Sequence, residues 1–380
     1  MCNFILNNDI YTVVSKNYIG EHMAIIPQGR SIQSMYGEYR NNKLIVNRKY
    51  QRKLVWTLSD KQSLIDSILN GYPIPLILFA EMRGDGYKEK SEIIDGMQRL
   101  NAIFTFIEHG FSFEGKYFDL DQFATARQAL QNGCFIKKDN VELLSAELCS
   151  KILDYQLAVT IYPATADSEV TEVFGRINSR GRQLSQQEQR QAGVSNNISS
   201  LVRQLASEIR GDVSLDILDL AQMPSISIDN DQNPQNYGIK ANDTIWCKQG
   251  ILTRTQLRDS QDEQMILDIV ASILNGEPIA ASREKFDKYY NNQSSESIDL
   301  ENKLIAYGDL KLRNEVIATF STLTALISNV DESQNFLRNI IRSNDKVRNP
   351  IKGPFYALFM ALYDLVIKQN KQPSQPLKIT

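Results

Sequence analysis

Up to about Gly211 the apolar residues of this chain form both short strand-like runs and stretches with a helical period of about 3.6 residues; beyond it only the helical period returns, at 263–275, 301–330, 334–342 and 354–369. Such a chain cannot close as one sheet or as one bundle. The pattern predicts an α+β N-terminal domain over 1–210, a polar, proline-containing connecting region over 211–250 and an all-helical domain over 251–380. With 380 residues, 42% of them hydrophobic, there is apolar material for two cores.

Within the first part the elements carry their own punctuation. Ser59-Asp60-Lys61-Gln62 fits a capping box, and Leu64, Ile65, Ile68 and Leu69 follow on one face before Gly71, which predicts a helix with both ends marked. Tyr72-Pro73-Ile74-Pro75 leads into Leu76–Phe79, and Glu92-Ile93-Ile94 resumes after the polar GDGYKEKS, a strand, loop and strand. Asp95-Gly96 then turns into a helix with Leu100, Ile103, Phe104 and Ile107 inward. Phe111 to Ser150 carries a mixed signal: a polar loop, a weak strand or turn at Cys134–Ile136, and helix over Leu143–Leu148. Tyr155–Tyr162 reads as a strand ending at Pro163, followed by a helix from Asp167 with Val170, Val173, Phe174 and Ile177 inward. Asn178-Ser179-Arg180-Gly181 breaks that helix, and Ser185-Gln186-Gln187-Glu188 is a second capping box.

Several function classes are excluded by counts. The chain has two histidines, His22 and His109, and neither has a second imidazole nearby in sequence, which leaves no material for an HNH, HxxH or HD metal centre. His109, followed by Gly110, reads as a residue at the C-terminal end of a helix. The cysteines at 2, 134, 149 and 247 show no metal-ligand spacing and read as reduced and structural. No signal-peptide pattern or 18-residue apolar run occurs, and Pro354–Ile367 is too short for a bilayer and carries Asp364. A cytoplasmic protein without a membrane partner is expected. Net charge is −3, so a polyanion site would have to be local.

Three segments are candidates for chemistry. Residues 30–62 hold eight cations (Arg30, Arg40, Lys43, Arg48, Lys49, Arg52, Lys53, Lys61) against Glu38 and Asp60, with Trp56 among them; the strip reads either as a surface for an anionic ligand or as a solvated basic edge. Ile94-Asp95-Gly96-Met97-Gln98-Arg99-Leu100 places a strand end, a glycine turn and a helix start in succession. Such a junction exposes backbone N–H groups and the positive end of the helix dipole, which suits phosphate. Arg99 adds a bidentate donor and Asp95 a ligand for a divalent cation or a ribose hydroxyl, or else Asp95 is only an N-cap. In Phe174–Ser185, polar and cationic side chains surround a helix break: Asn178 and Ser185 converge on a ligand, or the segment is an ordinary helix connection.

In order, RKYQRKLVW (48–56), a capped helix, GYPIP (71–75), IIDGMQRL (93–100) and FGRINSRGRQLSQQEQR (174–190) resemble the GmrSD-type N-terminal domain family of bacterial type IV restriction and anti-phage systems, over about residues 30–210. The family hallmark is a DGQQR motif. The resemblance implies a ParB/sulfiredoxin-like core with a small mixed sheet, and members that bind or hydrolyse nucleoside triphosphates. By motif, it assigns Asp95, Gly96, Gln98 and Arg99 to the nucleotide and phosphate site, with Asp95, Gln98 and Arg99 as its catalytic candidates and Asp95 as the Mg²⁺ ligand. Arg48, Gln51 and Arg52 would lie beside it, Arg176 and Asn178 would close it, and Arg180 would join Asn178 as a ligand contact. The nucleotide expected is GTP or ATP. Met97 departs from the hallmark: a thioether neither donates to phosphate nor orients water. The expectation is a nucleotide-binding sensor or regulatory component of a defence system, an NTP hydrolase if turnover survives Met97, without its own HNH domain. An effector protein encoded nearby would act with it, and whether it forms a homo-oligomer is left open. The alternative is a DNA-binding module or a ParB-like nuclease.

Overall fold

The computed structural model describes residues 27–49, 51–82, 90–164, 169–170, 172–174, 185–191, 194, 196–212, 215–229, 237–279, 282–328, 333, 335–341 and 349–371. A six-stranded mixed sheet and the helices on it build the N-terminal part, and helices build the C-terminal part. The sheet comprises β1 (Gln28–Ser31), β2 (Leu44–Asn47), β3 (Ile77–Met82), β4 (Ser91–Asp95), β7 (Gln156–Ala164) and β8 (Ile217–Asp219), in the order β1-β7-β3-β4-β2-β8. β7 with β3 and β4 with β2 are parallel, and the other neighbours are antiparallel. β5 (Lys116–Tyr117) with β6 (Glu142–Leu143), and β9 (Ile228–Asp229) with β10 (Ile239–Lys240), make two small parallel pairs.

The period of two along β3 explains why the sheet is covered on both faces. Ile77 and Phe79 join a core with α1 (Ile32–Arg40), α2 (Leu58–Leu69), α3 (Met97–Ile107) and α5 (Ala146–Asp154). Leu78 and Ala80 face the other way, with Ile94, against Val170 and Phe174. The expected strand, loop and strand of 76–94 is therefore the antiparallel β3–β4 pair.

The predicted capping box at Ser59 lies two residues too late. Thr57 is the N-cap of α2, its hydroxyl accepting from the Asp60 N–H at 3.2 Å while Asp60 accepts from the Thr57 N–H at 2.9 Å. The box at Ser185 is as expected: Glu188 N–H donates to Ser185 Oγ at 3.2 Å and Ser185 N–H to Glu188 Oε2 at 2.7 Å, opening α6 (Gln186–Gln191). Between Phe111 and Ser150 the pattern hid α4 (Ala124–Gln131); at Cys134–Ile136 the turn forms rather than the strand, and the expected helix over Leu143–Leu148 starts only at Ala146, Leu143 ending β6. β7 runs through Pro163 instead of stopping there: Pro163 pairs with Glu81 of β3, and among the described residues the pairing with β1 ends at Val159, so a residue without an N–H is tolerated. His109 lies just past the end of α3 at φ 62° and is buried. Its Nε2 donates to Phe118 O at 2.7 Å and its Nδ1 accepts from Lys138 N at 3.3 Å, the bonding of a neutral ring. Cys149 is buried and Cys134 exposed, and the three described cysteines are free thiols.

Packing crosses the expected boundary at 210. α7 (Asn197–Arg210) sends Ile198, Leu201, Val202 and Leu205 into the helical core, so it belongs with the C-terminal half. Conversely β8 and α8 (Met223–Ile226), from the expected connecting region, complete the sheet and its core. The chain enters the helical half before returning to the sheet, so no single cut point separates the two cores. Around Trp246 in α9 (Ile245–Lys248) pack Phe320 and Phe355. The helical half continues through α10 (Arg254–Arg258), α11 (Gln261–Asn275), α12 (Arg283–Tyr289), α13 (Ser295–Tyr307), α14 (Asp309–Ser328), α15 (Phe336–Ile341) and α16 (Lys352–Tyr363). The apolar stretch after Pro354 is this last helix, with Phe355, Phe359, Leu362 and Tyr363 buried. No helix among the described residues is long and apolar enough to cross a membrane.

Candidate functional site

At the C-terminal end of β4 the chain turns through Gly96 into α3. Gly96 stands at φ +103°, a backbone conformation that demands glycine, and a Cβ there would also displace the end of the Ile77 side chain. Gly96 is the N-cap and gives α3 no side-chain cap, which means that Asp95 is not the cap. The first-turn N–H groups of α3 therefore border a cavity of about 550 Å³. Its wall includes Gln51, Arg52, Trp56, Asp95, Gly96, Met97, Gln98, Arg99 and Phe174; α2 contributes Asp60, Ser63, Leu64 and Ser67, and the GYPIP turn contributes Pro73, Ile74 and Pro75. The lining mixes polar side chains and a helix N-terminus with apolar and aromatic ones (Trp56, Leu64, Ile74, Phe174), a composition suited to a flat ring carrying a charged group.

The signature side chains mostly hold the walls together. Arg99, 8% exposed, donates to Pro75 O, to Leu76 O at 3.1 Å and to Asp95 Oδ2 at 2.6 Å. It ties the GYPIP turn to the end of β4. Gln98 accepts from Val55 N at 3.0 Å and Trp56 N at 3.3 Å and donates to Lys53 O at 3.0 Å. Gln51 donates to Ile93 O at 2.9 Å and Ile94 O at 2.7 Å. The extended segment 51–56 is thereby strapped across the strand-turn-helix. Met97 is 3% exposed and packs into the N-terminal core, where an amide would need partners.

Arg48 is elsewhere. It donates to Ser207 Oγ at 2.9 Å and pairs with Asp212 at 3.3 Å in a buried ionic network between the two cores. Arg210 is central to that network: although burial works against its charge, Asp262, Asp212 and Glu263 hold its guanidinium firmly protonated. The expected basic strip does not form an open surface. Arg30 pairs with Glu38, Arg40 with Glu108, Arg48 with Asp212, Arg52 with Glu188 and Lys53 with Glu263. Lys61 is buried over the rings of Phe111 and Tyr237, and burial pushes its ammonium down to about 8. Arg176, Asn178 and Arg180 lie outside the described residues.

Asp95 has one carboxylate oxygen on Arg99 and lies at the cavity wall with its side chain 37% exposed. Among the described residues no group of three or more His, Cys, Asp or Glu side chains makes a metal cage. A lone carboxylate would fit Mg²⁺ only in the manner of an ion carried largely by phosphate and water, and Asp95 is the residue that would hold it. Sequence reasoning missed the α2 wall. Asp60, Ser63 and Ser67 recur at helical spacing beside the apolar face of Leu64, Ile65 and Ile68, and that second, small and polar face was the available signal.

Residues 32–195 match the model of the GmrSD restriction endonuclease N-terminal domain. This segment is a GmrSD-type N-terminal domain. The match contains every segment from β2 through α6 that builds the cavity and its strap, including the Asp95–Arg99 signature. No curated protein and no solved structure matches the chain.

Proposed function

We propose that the GmrSD-type domain binds a nucleoside triphosphate, GTP or ATP, together with Mg²⁺, and that the protein is the nucleotide-dependent sensor or regulatory component of a restriction-related anti-phage system. The observation that carries this reading is the start of α3, without a side-chain cap and formed by Asp95-Gly96-Met97, at a cavity whose lining includes Trp56, Leu64, Ile74 and Phe174. Phosphate lies at the α3 N-terminus with Arg52 beside it; the base takes the side lined by Trp56, Leu64 and Ile74. The mixed sheet with β4–Gly96–α3 at its centre is in keeping with a ParB/sulfiredoxin-like core. The family's association with restriction supports the defence role, and a partner protein supplies the destructive activity.

Binding is better supported than turnover. Met97 has no group to orient an attacking water, and Gln98 spends its amide on Lys53, Val55 and Trp56. Calorimetry of the purified protein with ATP, GTP, CTP and UTP plus Mg²⁺, with phosphate release followed in the same samples, tests the proposal. Micromolar binding of a purine triphosphate with slow or no release is expected. A folded protein that binds none of the four overturns it and leaves DNA recognition as the reading to pursue.

A further inference from the structure

Outside the residues that match the GmrSD-type domain, the helical half has a second cavity of about 370 Å³ between α11, the start of α12 and the start of α16. Its lining includes the buried apolar side chains of Met265, Ile279 and Phe286. Part of its polar lining is already engaged. Gln264 Oε1 accepts from Arg190 Nη1 of α6 at 3.3 Å, Tyr356 OH donates to Ser272 Oγ at 2.7 Å, and Ser282 Oγ accepts the Lys285 N–H at 3.2 Å as the cap of α12.

Three charged groups of the lining are poorly matched. Asp268, one turn beyond Gln264 on α11, makes no hydrogen bond and no ion pair among the described residues, and its Oδ1 is buried without a partner. A carboxylate so placed has lost water without gaining a donor, which is costly until a donor or a cation reaches it. Burial accordingly raises its carboxyl to about 6, against the opposing pull of Lys285 on α12. Lys352, the first residue of α16, lines the same cavity. Its ammonium donates to Gln261 Oε1, an uncharged acceptor, and burial pushes its pKa down. Arg283 has its acid, Asp287, only at 3.9 Å, and Arg190 holds the other oxygen of that carboxylate at 2.6 Å. An acid and two bases therefore line one cavity without pairing with one another.

We propose that this cavity binds a small zwitterion, an α-amino acid with an apolar side chain: its ammonium on Asp268, its carboxylate on Lys352 and Arg283, and its side chain against Met265, Ile279 and Phe286. Such a ligand meets each charge with the opposite sign and supplies the donors that Asp268 lacks. The assignment is independent of the nucleotide reading. The titratable and charged groups packed around Asp268 are Lys285, Arg283 and Tyr289 on α12, and Lys352 and Tyr356 on α16. Burial moves the two phenols further above neutrality, so Asp268 is the group whose charge changes between pH 5 and 7. An ammonium ligand prefers the ionised carboxylate, and binding strengthens about tenfold as pH rises from 5 to 7.

Calorimetry and thermal unfolding of the full chain with each of the common amino acids in turn test the proposal. Saturable binding of one or more with apolar side chains is expected. For the tightest, the amine that lacks the carboxylate and the acid that lacks the amine (for leucine, isopentylamine and isocaproate) are expected to bind about tenfold more weakly or worse. Asp268→Asn and Lys352→Gln are each expected to weaken binding by a similar factor while unfolding as cooperatively as the wild type, and Asp268→Asn also to lose the pH dependence. The site is overturned if no amino acid binds saturably, if either half-ligand binds as tightly as the whole, or if either variant binds as the wild type does.

Discussion

Replacing Arg99 by alanine tests whether the signature arginine holds the site together. The side chain is almost wholly buried and satisfies three acceptors, Pro75 O, Leu76 O and Asp95 Oδ2. Alanine removes the donor from the Pro75 and Leu76 carbonyls of the turn and leaves Asp95 without its cation. Charge-assisted bonds of this kind contribute about 1.5–3 kcal/mol each, not additively; Asp95, with its side chain 37% exposed, is partly rehydrated when the arginine is removed, which keeps the cost below that of breaking a fully buried pair. Arg99→Ala is therefore expected to lower stability by about 2–3 kcal/mol, a sizeable part of an ordinary domain's margin. Arg99→Lys retains the charge, but an ammonium cannot span all three acceptors, and about 1–2 kcal/mol is expected. Urea unfolding followed in parallel by circular dichroism and tryptophan fluorescence reads both. Trp56 borders the site and Trp246 lies in the helical core, so the two halves are both reported. A loss under about 1 kcal/mol for alanine, or a lysine variant as stable as wild type, would refute a framework role and return Arg99 to direct ligand contact. If the reasoning holds, the alanine variant also loses nucleotide binding, through loss of the wall.

Two further outcomes follow from the geometry. Gly96→Ala faces both a positive φ and the Ile77 Cδ1 atom, so a loss of about 2–4 kcal/mol is expected; Ile77→Val in the same chain, by removing that atom, should recover only the steric part, as a double-mutant cycle would read. Asp268 is partly buried, and burial raises its carboxyl to about 6. The folded protein thus holds a proton between about pH 4 and 6 that the unfolded chain gives up, and the associated stability is present at low pH and lost as pH rises through 6. Asp268→Asn should accordingly raise the melting temperature at pH 8 relative to wild type and leave little difference at pH 4; the opposite trend would contradict the burial argument.

Local patterns in the sequence determined the element types around the site. Alternation in 76–80 and 92–94, the Asp95-Gly96 turn, the period of Leu100, Ile103, Phe104 and Ile107, and the Ser185 capping box all depend on neighbours within a few residues, and the chain carries that information in its spelling. The motif order carried the domain family in the same way. Only the tertiary structure decided which side chains are available for chemistry. Gln98 and Arg99 read as ligand contacts in sequence but are engaged by Lys53, Val55, Trp56, Pro75 and Leu76, and a cluster of cations that looked like an open strip is paired with Glu38, Glu108, Glu188, Asp212 and Glu263. Arg48 and Asp212 meet across 164 positions, and α7 joins a core whose other members lie after it in the chain. A charge's partners are set by which surfaces two cores bring into contact. That depends on long-range packing, to which hydrophobic period and capping signals are blind.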